Sequence, residues 1–124
     1  MKFNERWTEI DGQRIRYLQG GTGSPLLLIH GLLGGSFCWR LTMPELAQQY
    51  AVYAVDLPGT SQTEGRGIDC SMACQTERLA KFVRQMGWKN FGLIGSSFGG
   101  AIAMLLASDA LESIRSLILV SPVN

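Results

Sequence analysis

Ser97 is the residue of this chain best placed to do chemistry. It is the third residue of Gly95-Ser96-Ser97-Phe98-Gly99, a G-x-S-x-G pentapeptide. Phe91, Leu93 and Ile94 before it read as a short buried strand. From Gly100 onward the sequence AIAMLLA reads as an apolar helix. A strand, a tight turn and a helix in direct succession lift the middle side chain to the apex of an elbow. A residue at such an apex has a strained backbone, and its neighbours two before and two after must be nearly free of side chain. Gly95 and Gly99 meet that demand for Ser97. Ser96 would need a small residue at position 94, where Ile94 stands. The elbow also opens a helix, whose first N–H groups and dipole favour developing negative charge. Ser97 is therefore the candidate nucleophile, and the N–H of Phe98 a candidate oxyanion donor.

Two other readings compete. One is a plain strand-to-helix turn with no chemistry. The other is a dinucleotide loop, because Gly95, Ser97 and Gly100 have the spacing of G-x-G-x-x-G. Against it, serine replaces the glycine that lets backbone approach a pyrophosphate. The loop also follows a late strand, and no acidic residue lies about 20 positions on to meet a ribose.

The bulk numbers narrow the classes. At 124 residues the chain fits one domain, residues 1–124, with a modest core. Its hydrophobic share of 46% and charged share of 17% are those of a globular protein. A net charge of +1 points to neither nucleic acid nor an anionic membrane as partner. The N-terminal MKFNERWTEI holds no apolar stretch of the secretory kind, so a cytoplasmic location is expected. Cys38, Cys70 and Cys74 do not make a disulfide framework. With one histidine in the chain, Cys70 and Cys74 read as packing residues rather than a metal or redox pair. No metal and no cofactor are expected.

The elements that must position Ser97 follow from the pattern. RWTEI (residues 6–10) and RIRYL (14–18) flank Asp11-Gly12, a strong hairpin signal. LLLI (26–29) is a continuous apolar run ending in His30-Gly31, as suits a central parallel strand. A helix is expected within 39–49, starting near Pro44, then a strand over 50–56 and a polar loop over 60–69. Ser71 reads as the N-cap of a helix to Met86, stopped by Gly87. Met72, Thr76, Leu79, Val83 and Met86 form its buried stripe, while Arg78, Lys81, Arg84 and Gln85 face water. The helix from Gly100 to about Leu111 is apolar nearly all round and is expected to be packed inside. The run from Arg115 to Ser121 is the last strand. The expected fold is α/β, with a mainly parallel sheet of about six strands, helices on both faces and an N-terminal antiparallel hairpin.

Three motifs in order now resemble the α/β-hydrolase superfamily, of the esterase-like, serine-nucleophile kind: His30-Gly31-Leu32, Asp56-Leu57-Pro58-Gly59 and Gly95-Ser96-Ser97-Phe98-Gly99. The resemblance implies that the N–H of Leu32 joins that of Phe98 in an oxyanion hole, and that His30 braces the loop, with Gly31, Gly95 and Gly99 supporting it. Leu32, Leu33, Phe37 and Phe98 would line the entrance, which implies a small hydrophobic substrate. One departure stands in the second motif, where Ser61 replaces a usual glycine. The larger one is that family members are about twice as long and place the acid and the general-base histidine later in the chain. His30 is the only histidine here, and Asn124 is an amide, not an acid. The chain therefore reads as the N-terminal part of such a hydrolase, inactive or nearly so alone. The alternative is a short product that associates through its final strand. In that strand Leu117 and Leu119 point to one face and Ile118 and Val120 to the other. Leaving two such side chains uncovered would forfeit about 3–6 kcal/mol.

Overall fold

The computed structural model describes residues 3–31, 34–58, 71–109 and 113–120. Strands β1 (Asn4–Ile10) and β2 (Gln13–Gly20) form the expected hairpin. Asp11 and Gly12 both take positive φ, 52° and 78°, the turn whose twist matches that of the paired strands. After β3 (Pro25–Ile29) come a one-turn 3-10 helix (Ser36–Trp39) and a single α-turn, α1 (Met43–Leu46), with Pro44 in its first turn. The helix expected within 39–49 is thus shorter than its pattern suggested. Strand β4 (Ala51–Val55) follows.

Helix α2 (Met72–Met86) begins and ends where the sequence placed it. The Ser71 hydroxyl accepts the N–H of Cys74 at 3.3 Å, and Gly87 closes the helix in the left-handed region at φ 74°. Its buried face is Gln75, Thr76, Leu79, Phe82 and Val83; Met72 and Met86 are half-buried. Strand β5 (Phe91–Ser96), helix α3 (Phe98–Asp109) and strand β6 (Ile114–Val120) complete the elements among the described residues. The polar loop expected over 60–69, Cys70, Leu111, Ser121 and Asn124 lie outside the described residues.

The six strands form one sheet in the order β1-β2-β4-β3-β5-β6. The hairpin is antiparallel and joins β4 in antiparallel fashion, while β4, β3, β5 and β6 run parallel. Successive side chains of a strand point to opposite faces, and both faces of the central strands are covered. Leu27, Ile29, Val55 and Leu93 meet α2 and α3 on one side. Leu26, Leu28, Val52, Ala54 and Ile94 meet Trp39, Met43 and Ala47 on the other. Rings of Tyr17, Tyr53, Phe82, Trp88 and Phe91 stack edge to face and tilted across the α2 side. This is the α/β architecture read from the sequence.

Helix α3 departs from that reading. It begins at Phe98, directly after the elbow, and it is not packed on every side: Met104 and Leu105 are 39% and 42% exposed. Its composition is apolar all round, but α2 and the sheet can touch only part of a cylinder, so the remaining arc meets no neighbour among the described residues. No helix among the described residues is long and apolar enough to cross a membrane.

Candidate functional site

Ser97 sits between β5 and α3 with φ of 56°, in the left-handed region that costs a non-glycine residue about 1–3 kcal/mol. Local hydrogen bonds hold it there. Its N–H donates to the carbonyl of Val120 on β6 at 2.9 Å. Its own carbonyl accepts the N–H of Gly100 at 2.9 Å and of Ala101 at 3.3 Å, starting the helix. The side chain is half-buried and so reachable. The two glycines are required by contact rather than by habit. A Cβ on Gly95 would lie 2.8 Å from Gly100 Cα, and one on Gly99 would lie 2.7 Å from the Ile29 carbonyl carbon. Phe98 opens α3, and the first four N–H groups of a helix have no acceptor within it.

The segment after β3 forms the wall beside the elbow. A Cβ on Gly31 would stand 3.4 Å from Ser97 Cβ and 3.9 Å from its Oγ, so the Gly31 backbone lies against the hydroxyl. Leu32 and Leu33, read as an oxyanion donor and as entrance residues, lie outside the described residues. Phe37, also expected at the entrance, is 53% exposed.

His30 is fully buried, and both its ring nitrogens are engaged. Nε2 accepts the N–H of Leu57 at 3.0 Å, so it carries no proton. Nδ1 must then hold the proton and donates it to the Gly31 carbonyl at 2.5 Å. The same carbonyl accepts the N–H of Gly34 at 3.1 Å. Burial lowers the pKa of His30, against the upward pull of the Gly31 hydrogen bond and the Asp56 charge. The ring is a neutral link between the segment after β3 and the residues that follow β4.

Sequence reasoning missed the hub beyond β4, where three consecutive residues each hold a different neighbour. Asp56, fully buried, accepts the N–H of Ser36 at 2.6 Å, the Ser36 hydroxyl at 3.1 Å and Arg16 Nη1 at 2.7 Å. Leu57 donates to His30 as described. Pro58 offers its carbonyl to the buried amide of Gln75 on α2 at 3.0 Å. Arg16 also reaches Ser36 Oγ at 3.2 Å and Glu5 at 2.7 Å. Its burial disfavours charge, but hydrogen bonds to Glu5 and Asp56 outweigh that and raise its pKa. Glu5 is held below its ordinary range, chiefly by the hydrogen bond from Arg16. The signal for this hub was present, since Arg16, one of two arginines in β2, and the single Asp closing an apolar strand have to find partners. Their spacing of 40 residues hides the pairing from any local pattern.

The arrangement presents one reachable hydroxyl at a helix N-terminus, next to a glycine backbone wall. A group that attacks a carbonyl carbon beside backbone N–H donors needs this geometry. It also needs a proton acceptor, and His30 has no ring nitrogen to spare for that work.

Comparison with known proteins agrees with this fold. The family model described as alpha/beta hydrolase fold matches residues 24–124. Over 120 residues the chain is 36% identical to the dihydrolipoyllysine-residue acetyltransferase component of the acetoin cleaving system of Cupriavidus necator, covering 96% of this chain and 32% of that protein. It is 32% identical over 108 residues to a soluble epoxide hydrolase of Corynebacterium sp., covering 87% of this chain and 38% of that one. Among solved structures, a membrane phospholipase A described as a bacterial virulence factor superposes with a TM-score of 0.94 at 33% identity. That match covers 98% of this chain and 40% of the phospholipase. The chain thus spans between a third and two fifths of the length of these relatives.

Proposed function

We propose, on the premise that the chain belongs to the α/β-hydrolase fold family, that it carries the nucleophile and oxyanion side of a hydrolase acting on an ester-like carbonyl in a hydrophobic substrate. The observation that carries this reading is the strained φ of Ser97, 56°, at the entry to α3. Ser97 Oγ bonds to the carbonyl carbon while its proton passes to a base. The carbonyl π pair moves onto oxygen, where the N–H groups of Phe98 and Leu32 receive it. Each such donor contributes about 10²–10³ in rate. Collapse of the adduct returns the proton to the departing alcohol and leaves an acyl group on Ser97, which water then removes.

His30 does not serve as that base, because its ring nitrogens are committed to Leu57 and Gly31. The chain alone is therefore inactive or nearly so, since loss of a triad member costs about 10⁴–10⁶ in rate. The relatives' names span acyl transfer, epoxide opening and phospholipid hydrolysis, and a fold does not choose among chemistries. The serine hydroxyl favours acyl chemistry, and the exposed Phe37 favours an apolar acyl or alkyl group. Turnover of short-chain and medium-chain aryl esters by the complete gene product tests this. Ser97→Ala is expected to remove at least 10⁴-fold of it, and a variant as active as the parent overturns the assignment.

A second reading rests on β6. Leu117, Ile118 and Val120 are 38%, 52% and 45% exposed on an edge strand, and unpaired edges of this kind recruit another strand. Arg115 is the strand's one charge, so two copies can pair antiparallel without opposing like charges. In this reading the 124-residue chain self-associates through β6. Sedimentation decides: a dimer that Ile118→Lys converts to monomer supports it, and a monomeric parent ends it.

A further inference from the structure

Residues 56–58 do more than terminate a strand. The segment from His30 to Ser36 is fastened at both ends to two consecutive residues, His30 to Leu57 at 3.0 Å and Ser36 to Asp56 at 2.6 Å. Between these fastenings Gly31 lies against Ser97. From this we infer that Asp56 is a positioning residue for the elbow, acting with Arg16 and Ser36 to hold Gly31 at its distance from the Ser97 hydroxyl. The inference deepens the functional reading above and gains its catalytic meaning from it.

The physical case rests on the character of Asp56. A carboxylate with no solvent exposure is costly to bury unless every lone pair finds a donor. Here one oxygen takes a backbone N–H of the segment beside Ser97, and the other takes the Ser36 hydroxyl and Arg16. Charge-assisted bonds of this kind are short and directional, so the far end of the segment has one position. Arg16 is itself fixed by Glu5 on β1, which ties the device to the hairpin. Meanwhile the Gly31 carbonyl holds two donors, His30 Nδ1 and the Gly34 N–H. Releasing the Ser36 end frees Gly34, and with it one of the two bonds that orient Gly31. A displacement near 1 Å at a reacting centre costs about 10²-fold in rate.

The test separates positioning from general stabilisation by measuring amide hydrogen exchange in the folded chain. The comparison is between the parent, Asp56→Asn and the outer control Glu5→Gln. In Asp56→Asn, exchange at Gly34 and at the His30 ring Nδ1–H is expected to accelerate at least tenfold. Exchange at Leu93 in β5 and Leu79 in α2 is expected to stay within about twofold. Glu5→Gln should leave all four within about threefold. Loss of protection at all four positions in step, or at none, overturns the inference. Should Asp56→Asn fail to fold, Ser36→Ala removes only the hydroxyl link. It is expected to accelerate Gly34 and His30 alone by a few fold, and no selective change there is equally fatal. In the complete gene product, phosphonylation of Ser97 by a fluorophosphonate is expected to slow 10–100-fold in Asp56→Asn. A parent that is never phosphonylated at Ser97 sinks the functional reading, while the exchange result still decides whether Asp56 positions the segment.

Discussion

Two non-glycine residues among those described share nearly the same backbone strain, Asp11 at φ 52° and Ser97 at φ 56°, and their surroundings could hardly differ more. Asp11 sits at the tip of a hairpin, and a Cβ added to its neighbour Gly12 would meet nothing within 4 Å. Its backbone conformation follows from turn chemistry, which Asp tolerates in the left-handed region better than most residues, and among the described residues its carboxylate meets only the surface ammonium of Lys81 on α2. Ser97 has a glycine two residues to either side, and at both a single added carbon would strike backbone. Its own amide and carbonyl are tied to β6 and α3. A turn can be strained because nothing opposes it, or because everything around requires it. Only the second kind holds a side chain in a fixed place, and that is the kind from which function is legitimately inferred.

That contrast can be broken most forcefully at Gly99. Gly99→Ala puts a methyl against the Ile29 and His30 carbonyls, and backbone cannot yield as a flexible side chain can. We expect a loss of about 3 kcal/mol or more, read by urea denaturation. At the hairpin, Gly12→Ala meets only the penalty of φ 78°, about 1 kcal/mol. Equal losses at the two glycines would erase the distinction.

Acid should separate the regions next. Burial lowers the pKa of His30 in the fold, so the unfolded chain binds a proton first as pH falls from its value of about 6.5. The contribution of His30 is therefore complete above that pH and is lost as pH drops through the folded value. Protonating Nε2 also removes the acceptor for the Leu57 N–H. Amide exchange at Gly34 should accelerate below about pH 6.5, after correction for intrinsic rates, while the Asp11 turn stays unchanged. His30→Gln should abolish the difference.

The smallest effects sharpen the contrast by sign. Ser97→Gly relieves strain and is expected to raise stability by about 1 kcal/mol, seen as a melting temperature a few degrees higher. Asp11→Gly should stay within about 0.5 kcal/mol. A destabilised Ser97→Gly would mean that the elbow is not strained.

What the sequence revealed follows the same division. The Asp11-Gly12 turn, the Ser71 cap, the Gly87 stop and the Gly95 and Gly99 pair were all legible, because each is a demand that one residue places on its near neighbours. So were the apolar strands and the place of His30 at the end of a central one. The Arg16–Asp56–Ser36 hub was not, because its members stand 20 and 40 residues apart and meet only once β2, β4 and β3 lie side by side. The exposed arc of α3 was hidden for a related reason: composition shows what a helix would bury, not how much neighbouring surface exists to bury it. The 3-10 turn at Ser36 also lacked a local signal, since Asp56 supplies the acceptor for its first N–H from a distant strand.

Peptide mapping of a fluorophosphonate adduct on the complete gene product tests the nucleophile most directly. The phosphonyl mass should fall on Ser97 alone and vanish in Ser97→Ala. An adduct on Ser96, or one that persists without the Ser97 hydroxyl, would contradict the elbow as the seat of reaction.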